Sequence, residues 1–162
     1  MSLEKVRAYF ADNGVDTGRI IEFPVSSATV ELAARAAGVI PARIAKTLSF
    51  MTPDGPVLIV AAGDARVDNS AYKAFFHCKA KMLGRDEAEA IIGHAPGGVC
   101  PFGINPGVRV YLDVSLQRFP TVFPACGSSN SAIELDCPTL FTLSRAEQWI
   151  DVCKDWRAAP EA

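Results

Sequence analysis

Two apolar runs, Ile44 to Met51 and Pro56 to Ala62, are separated only by Thr52-Pro-Asp-Gly55, and that spacer constrains the fold more than any other stretch. Proline presets φ for a turn, aspartate hydrogen-bonds its own backbone, and glycine tolerates the left-handed conformation that closes a hairpin. The two runs are therefore read as adjacent antiparallel strands. A hairpin cannot join parallel strands, which disfavours a doubly wound parallel sheet. Short strands interleaved with short helices predict a mixed α/β (α+β-like) single domain with a mixed, largely antiparallel sheet. Pro56-Val-Leu-Ile-Val-Ala-Ala62 has the length of a buried strand and falls far short of the roughly eighteen apolar residues of a membrane span.

The remaining periodicity fills in the elements. Leu3, Val6 and Phe10 make one stripe of a helix from Ser2 to about Asn13, and Arg19 to Pro24 reads as a short strand. Val30, Ala33, Ala34 and Ala37 recur at helical spacing between Ser26-Ser27, whose hydroxyls can cap the helix, and Gly38. Helices are predicted over 69–77 and 85–92, and strands over 80–83, 108–113, 121–124 and 132–136. Ser144-Arg-Ala-Glu147 has capping-box spacing, which predicts a last helix presenting Trp149, Cys153 and Trp156 on one face. This organises the chain as an N-terminal helix and strand (1–25) packed on a domain of residues 26–157, with a frayed tail at 158–162.

Five cysteines with no C-x-x-C pair, and no histidine at zinc-ligand spacing, predict reduced thiols, no metal and no cofactor. Charges inside the first ten residues disfavour a secretion signal, so a cytoplasmic protein without a membrane partner is expected. The net charge of −2 argues against a broad nucleic-acid-coating surface. Its distribution is nevertheless uneven: residues 43–85 hold seven Lys or Arg against three Asp, which leaves room for a local basic face.

Between helix and strand, His94-Ala-Pro-Gly-Gly-Val-Cys-Pro-Phe-Gly-Ile-Asn-Pro-Gly107 has the composition of a built loop, able to hold uncovered amide dipoles at the mouth of a pocket. No Gly-Lys-Ser/Thr follows it, and its glycines precede a strand, so neither a P-loop nor a dinucleotide fingerprint fits. For the loop of Gly97, Gly98, Pro101 and Gly103, what remains is amide donation to an oxygen from its glycines, or an ordinary connection. Cys126-Gly-Ser-Ser-Asn-Ser131 is a second small-polar loop, in which Gly127, Ser128, Ser129 and Asn130 can meet a polar ligand or merely turn the chain. Lys46, followed by Thr47, opens an apolar strand; its ammonium either snorkels to water or stands at a pocket rim as a cation for a phosphate or carbonyl. Cys100 with His94 is a conceivable nucleophile and base, although Cys100 also fits as a small apolar plug. Asp113, Glu134 and Asp136 are candidate carboxylates, each equally able to be a solvated or paired strand-end acid.

In order and spacing, Ala45-Lys46-Thr47-Leu48, Gly63-Asp-Ala-Arg-Val-Asp68, Gly97-Gly98-Val-Cys-Pro101-Phe-Gly103, Gly127 and Ile133-Glu134-Leu135 resemble the YbaK/prolyl-tRNA synthetase-associated editing-domain family over about residues 26–151. The resemblance implies a trans-acting aminoacyl-tRNA deacylase, which hydrolyses the ester of a mischarged tRNA with no protein nucleophile. Lys46 becomes the required lysine, and Gly97 and Gly98 belong to the loop lining the aminoacyl pocket. The tRNA acceptor end is the implied partner, with a synthetase as a second candidate. The cysteinyl-tRNA(Pro) deacylase branch resembles Ser-Gly-Gly where this chain has Ala125-Cys-Gly127, and carries an acid where it has Ala132. A pocket for another small residue, alanine or serine as readily as cysteine, is therefore expected. A non-catalytic module of the same fold, holding an acceptor end or nucleotide, is the alternative.

Overall fold

The computed structural model describes residues 2–157, so the expected frayed tail at 158–162 lies outside the described residues. In chain order the elements are α1 (Ser2–Asp12), β1 (Ile21–Glu22), α2 (Val30–Ala37), β2 (Ile44–Thr52), β3 (Gly55–Ala62), β4 (Arg66–Val67), α3 (Asn69–Phe76) and α4 (Arg85–Ile92). These are followed by β5 (Arg109–Asp113), β6 (Thr121–Pro124), β7 (Ser131–Ala132), β8 (Leu135–Asp136), α5 (Cys137–Ser144), β9 (Trp149–Ile150) and β10 (Cys153–Lys154).

The β2–β3 hairpin is the spine of a six-stranded mixed sheet of order β8-β6-β2-β3-β5-β9. Its eight antiparallel residue pairs run from Ala45–Ala62 to Thr52–Gly55. Parallel strands extend the sheet on both sides: β6 beside the start of β2, and β5 then β9 beyond β3. From Val57 to Ala62, β3 is wholly buried on both faces, as its unbroken apolar run requires. Val6 and Phe10 of α1 are fully buried in the same core, where Phe10 packs edge-on against Phe102 with ring centroids 4.9 Å apart. Tyr72 and Phe76 of α3 join Phe50 and Tyr111 in an aromatic cluster.

Several elements differ from expectation. The segment 19–24 begins in a single 3-10 turn at Thr17–Arg19, and only Ile21–Glu22 pair, with β7. Thr29, two residues beyond the serine pair, caps α2 through a hydrogen bond from Leu32 N–H to its hydroxyl. The expected strand at 80–83 is reduced to one bridge, Phe50 with Met82, and the expected strand at 132–136 divides into β7 and β8. The largest difference lies near the C-terminus. Asp136 caps a helix at Cys137–Ser144 with proline in its first turn, and Arg145 ends it in the left-handed region at φ 53°. Ser144 thus closes a helix, and Trp149 and Cys153 lie on strands. No helix among the described residues is long and apolar enough to cross a membrane.

Candidate active site

The edge of β2 explains where a cavity forms. β3 covers one edge for its whole length, whereas on the other β6 pairs only with Ile44 and Ala45. From Ser49 onward that second edge is taken by residues 81–83, through Leu83 N–H to Ser49 O (3.1 Å) and Met51 N–H to Lys81 O (2.9 Å). Between them, Lys46 to Leu48 have no strand partner on this side among the described residues, and a cavity of about 220 Å³ opens beside Lys46 and Thr47.

Each neighbouring element contributes a distinct chemistry. Thr29 and Val30 bring the N-terminal end of α2 to the cavity, where the first-turn N–H groups have no helical acceptor and the dipole is positive. Gly97 and Val99 bring the glycine-rich loop, and Ser27 and Ser131 bring hydroxyls. Apolar surface comes from Ile44, Phe123 and a set of alanines: Ala28, Ala33, Ala45, Ala125 and Ala132. Ala125 and Ala132 face each other as an isolated antiparallel bridge. Thr47 Oγ1 is buried without a hydrogen-bond partner among the described residues, which is costly unless something occupies the space it faces.

Lys46 is clamped. Its ammonium donates to the carbonyl oxygens of Gly63 (3.3 Å) and Ala65, leaving one of its three N–H groups unspent. Burial lowers its pKa from the usual lysine value, against the opposing pull of Cys153 and Asp64. The turn that clamps it is itself fixed. A Cβ on Gly63 would lie 2.1 Å from Pro41 O and 2.6 Å from Val30 Cγ1, so the backbone there is packed against the entry to α2. Asp64 is gripped by Arg118 through two hydrogen bonds of 2.6 and 3.0 Å. Arg118 in turn donates to the carbonyls of Ser115 and Trp156, at 3.0 Å each.

The two loops meet behind the cavity. A Cβ on Gly98 would fall 2.6 Å from Gly127 C and 2.7 Å from Ser128 N, and the Gly98 N–H is already donated to Ala95 O at 3.1 Å. The expectation that Gly98 supplies a free amide is thus corrected: it is a close-contact residue, while Gly97, at φ 85°, and Val99 line the cavity. The polar groups of the second loop are spent internally. Ser129 O accepts from Ser27 N–H at 2.6 Å, and Asn130 exchanges bonds with Phe23 at 2.7 and 3.1 Å. The Ser128 hydroxyl donates to Ser131 Oγ at 2.6 Å. Pro101 and Gly103 stand apart, in a separate depression shared with Tyr9, Asn105 and Arg145. Of the expected site residues, Lys46, Thr47 and Gly97 line the cavity. Gly98, Gly127 and Ser128 pack against one another and Ser129 packs against Gly97 without lining it, and Asn130, Pro101 and Gly103 do not line it either. Thr29, Val99 and Ser131 were missed, and only the threonine before Val30 carried a sequence signal, as a helix cap.

Neither a thiol nor a carboxylate is placed for chemistry. His94 Nε2 donates to Phe102 O at 2.7 Å, so the nitrogen nearest Cys100 Sγ (3.5 Å) carries a proton and cannot take one. Cys100 is fully buried, which pushes its thiol up to about 12. Asp113 accepts from the backbone of Ser115 and Val152, Asp136 caps α5, and Glu134 binds Thr121 and Arg43. No carboxylate lines the cavity, and no cluster of metal-ligating side chains occurs among the described residues.

Residues 25–143 match the family model described as the aminoacyl-tRNA editing domain. YwhH of Bacillus subtilis (strain 168), itself uncharacterised, is 54% identical over 96% of this chain and 99% of its own length. EbsC of Enterococcus faecalis, provisionally assigned as a Cys-tRNA(Pro)/Cys-tRNA(Cys) deacylase, is 28% identical over 74% of each chain. A solved structure, of a protein provisionally assigned as a trans-editing enzyme for prolyl tRNA synthetase, superposes with a TM-score of 0.85 at 28% identity, spanning 94% of this chain and 97% of that one.

Proposed function

Since the chain belongs to the aminoacyl-tRNA editing-domain family, we propose that it is a trans-acting deacylase that cleaves the ester joining a small amino acid to the terminal adenosine of a mischarged tRNA. The observation that carries this reading is the convergence of the Lys46 clamp, the Gly97–Val99 backbone and the positive end of α2 on one small cavity. In ester hydrolysis a water oxygen bonds to the acyl carbon and gives up a proton while the carbonyl oxygen becomes an oxyanion. As the oxyanion re-forms the carbonyl, the bond between the acyl carbon and the ribose oxygen breaks and the ribose oxygen takes up a proton. Fixed N–H donors facing that oxyanion stabilise it without reorganising. An ester asks little more than this and correct placement, which agrees with the absence of a nucleophile–base pair in the cavity.

Size supports selectivity for a small acyl side chain. Five alanines line a cavity of about 220 Å³, and their short side chains suit an acyl group such as that of alanine, serine or cysteine. Ala125 and Ala132, the two departures from the cysteinyl branch, are partners across one bridge on the cavity wall, so they alter a single spot. The substrate is then presented by a tRNA acceptor end, in the cytoplasm, after release from a synthetase.

The test is a panel of tRNAs mischarged with alanine, serine and cysteine, with release of free amino acid measured at enzyme concentrations well above contaminant levels. Turnover of at least one is expected. Binding of the acceptor end without release from any would replace the enzyme with the binding module.

A further inference from the structure

Outside the cavity, the strongest unexplained feature is a run of cations over residues 66–85, where Arg66, Lys73, Lys79, Lys81 and Arg85 stand against Asp68 alone. All five are exposed, and none forms an ion pair among the described residues. Asp68 is occupied as the cap of α3, accepting from the N–H groups of Ser70 and Ala71. Asp64, two residues before Arg66, is held by Arg118, and the next acids along the chain are on α4, where Glu87 is bonded to Gly84 N–H and Asp86 and Glu89 remain. A like-charged set held apart from its counterions costs self-repulsion, which an external polyanion relieves.

The placement is as informative as the charge. Lys73 and Lys79 share one depression of about 390 Å³ with Asn69 and Ser70, so two ammonium groups and two polar side chains face the same space. Lys81 and Met82 lie on backbone stitched to β2, the strand that also carries Lys46 and Thr47. Lys46 and Met51, which bonds Lys81, are five strand residues apart, or about 16 Å at ~3.3 Å per residue. That matches about five stacked nucleotides at ~3.4 Å each. Arg66 is close enough to Lys46 for its charge to act on that ammonium, which puts it at the cavity end of the cationic run.

We propose that Lys73, Lys79, Lys81 and Arg85, with Arg66 nearest the cavity, form the face on which the phosphodiester backbone of the acceptor arm lies while its aminoacylated end enters the cavity. The proposal rests on the deacylase reading and adds to it the side from which the RNA arrives. Lysines suit this task because phosphate contacts position the strand without reading its bases.

The experiment compares the full chain with its K73Q/K79Q/K81Q variant on two substrates: an alanylated RNA minihelix and 3′-O-alanyl-adenosine, which has no phosphodiester backbone. The variant is expected to bind uncharged minihelix at least tenfold more weakly at 0.1 M salt. Its slope of log affinity against log salt should be shallower by about 2, from roughly 0.7–0.9 per phosphate contact. Cleavage of the adenosine ester should match the wild type, which excludes general damage, and a K73R/K79R/K81R variant should bind as the wild type does. Unchanged slope and affinity in the glutamine variant overturn the proposal, as does a patch that holds anionic vesicles but not RNA. If neither protein cleaves any ester while the difference in salt slope persists, the deacylase reading fails and the RNA face stands.

Discussion

Replacing Gly98 with alanine tests whether the two loops really brace the cavity. Gly98 lies outside the left-handed region, so the substitution introduces no left-handed strain; the penalty is steric. The new Cβ would sit 2.6 Å from Gly127 C, 2.7 Å from Gly127 O and 2.7 Å from Ser128 N, all main-chain atoms that cannot rotate away. Restoring van der Waals separation, ~3.5–4.0 Å between carbons, needs the loops to part by about 1 Å. Overpacking of this kind costs about 1–3 kcal/mol, or roughly 2–12 °C in Tm for a chain of this size. A displacement of about 1 Å at a catalytic wall can cost on the order of 10²-fold in rate. Gly107 supplies the control, because at φ 87° its alanine variant bears left-handed strain of about 1–2 kcal/mol while nothing lies within 4 Å of the added methyl. Calorimetry and kcat/KM on a mischarged tRNA should therefore show Gly98→Ala losing both stability and activity and Gly107→Ala losing stability alone. Full activity in Gly98→Ala, or equal loss of activity in both, would refute the bracing of the cavity by these loops.

Lys46→Ala should lower kcat/KM at least tenfold, about 1.4 kcal/mol of transition-state stabilisation; wild-type rates would remove Lys46 from the site. Arg118→Met frees Asp64 and loosens the turn whose carbonyls hold the Lys46 ammonium, so kcat is expected to fall. Arg118→Lys should not restore it, since an ammonium cannot make the two-point grip, and recovery in that variant would show that charge alone matters. His94 is buried with its pKa lowered, chiefly by desolvation, so below about pH 6.5 the unfolded chain takes up a proton that the folded one resists, and stability falls as pH drops. His94→Gln can keep a donor to Phe102 O without the titration; its Tm should fall less between pH 6.5 and 5, and a parallel decline would locate the acid sensitivity elsewhere.

The parts of the fold legible in the sequence were those whose chemistry is local. The Pro-Asp-Gly turn announced the hairpin, and Gly93 ended α4 where a left-handed residue was needed, at φ 104°. Lys46, Thr47 and Gly97 were also recoverable, because a cation opening an apolar strand and a double glycine both stand out against their surroundings. The chain beyond Asp136 was not. Trp149 and Ile150 are a strand only because β5 offers them an edge, and two-residue pairing leaves no periodicity to detect. The capping-box reading of Ser144 failed because Asp136 and Pro138 started a helix eight residues earlier, and Arg145 adopts a backbone conformation that its side chain does not advertise. Likewise, that Asn130 spends its amide on Phe23 depends on a chain crossing of more than a hundred residues in sequence, whereas the Ser128 hydroxyl turns to Asn130 and Ser131 in its own loop.

The first helix has a bearing on how this protein is handled at the bench. A Cβ on Gly127 would strike Ser2 O at 2.6 Å, and Val6 and Phe10 lie wholly inside the core, so α1 is the buttress on which the rear loop leans. The region shared with the family begins only at residue 25. A fragment cut to that homologous stretch would discard its own backing, and a bulky fusion ahead of Ser2 would press on the loop against which Gly98 packs.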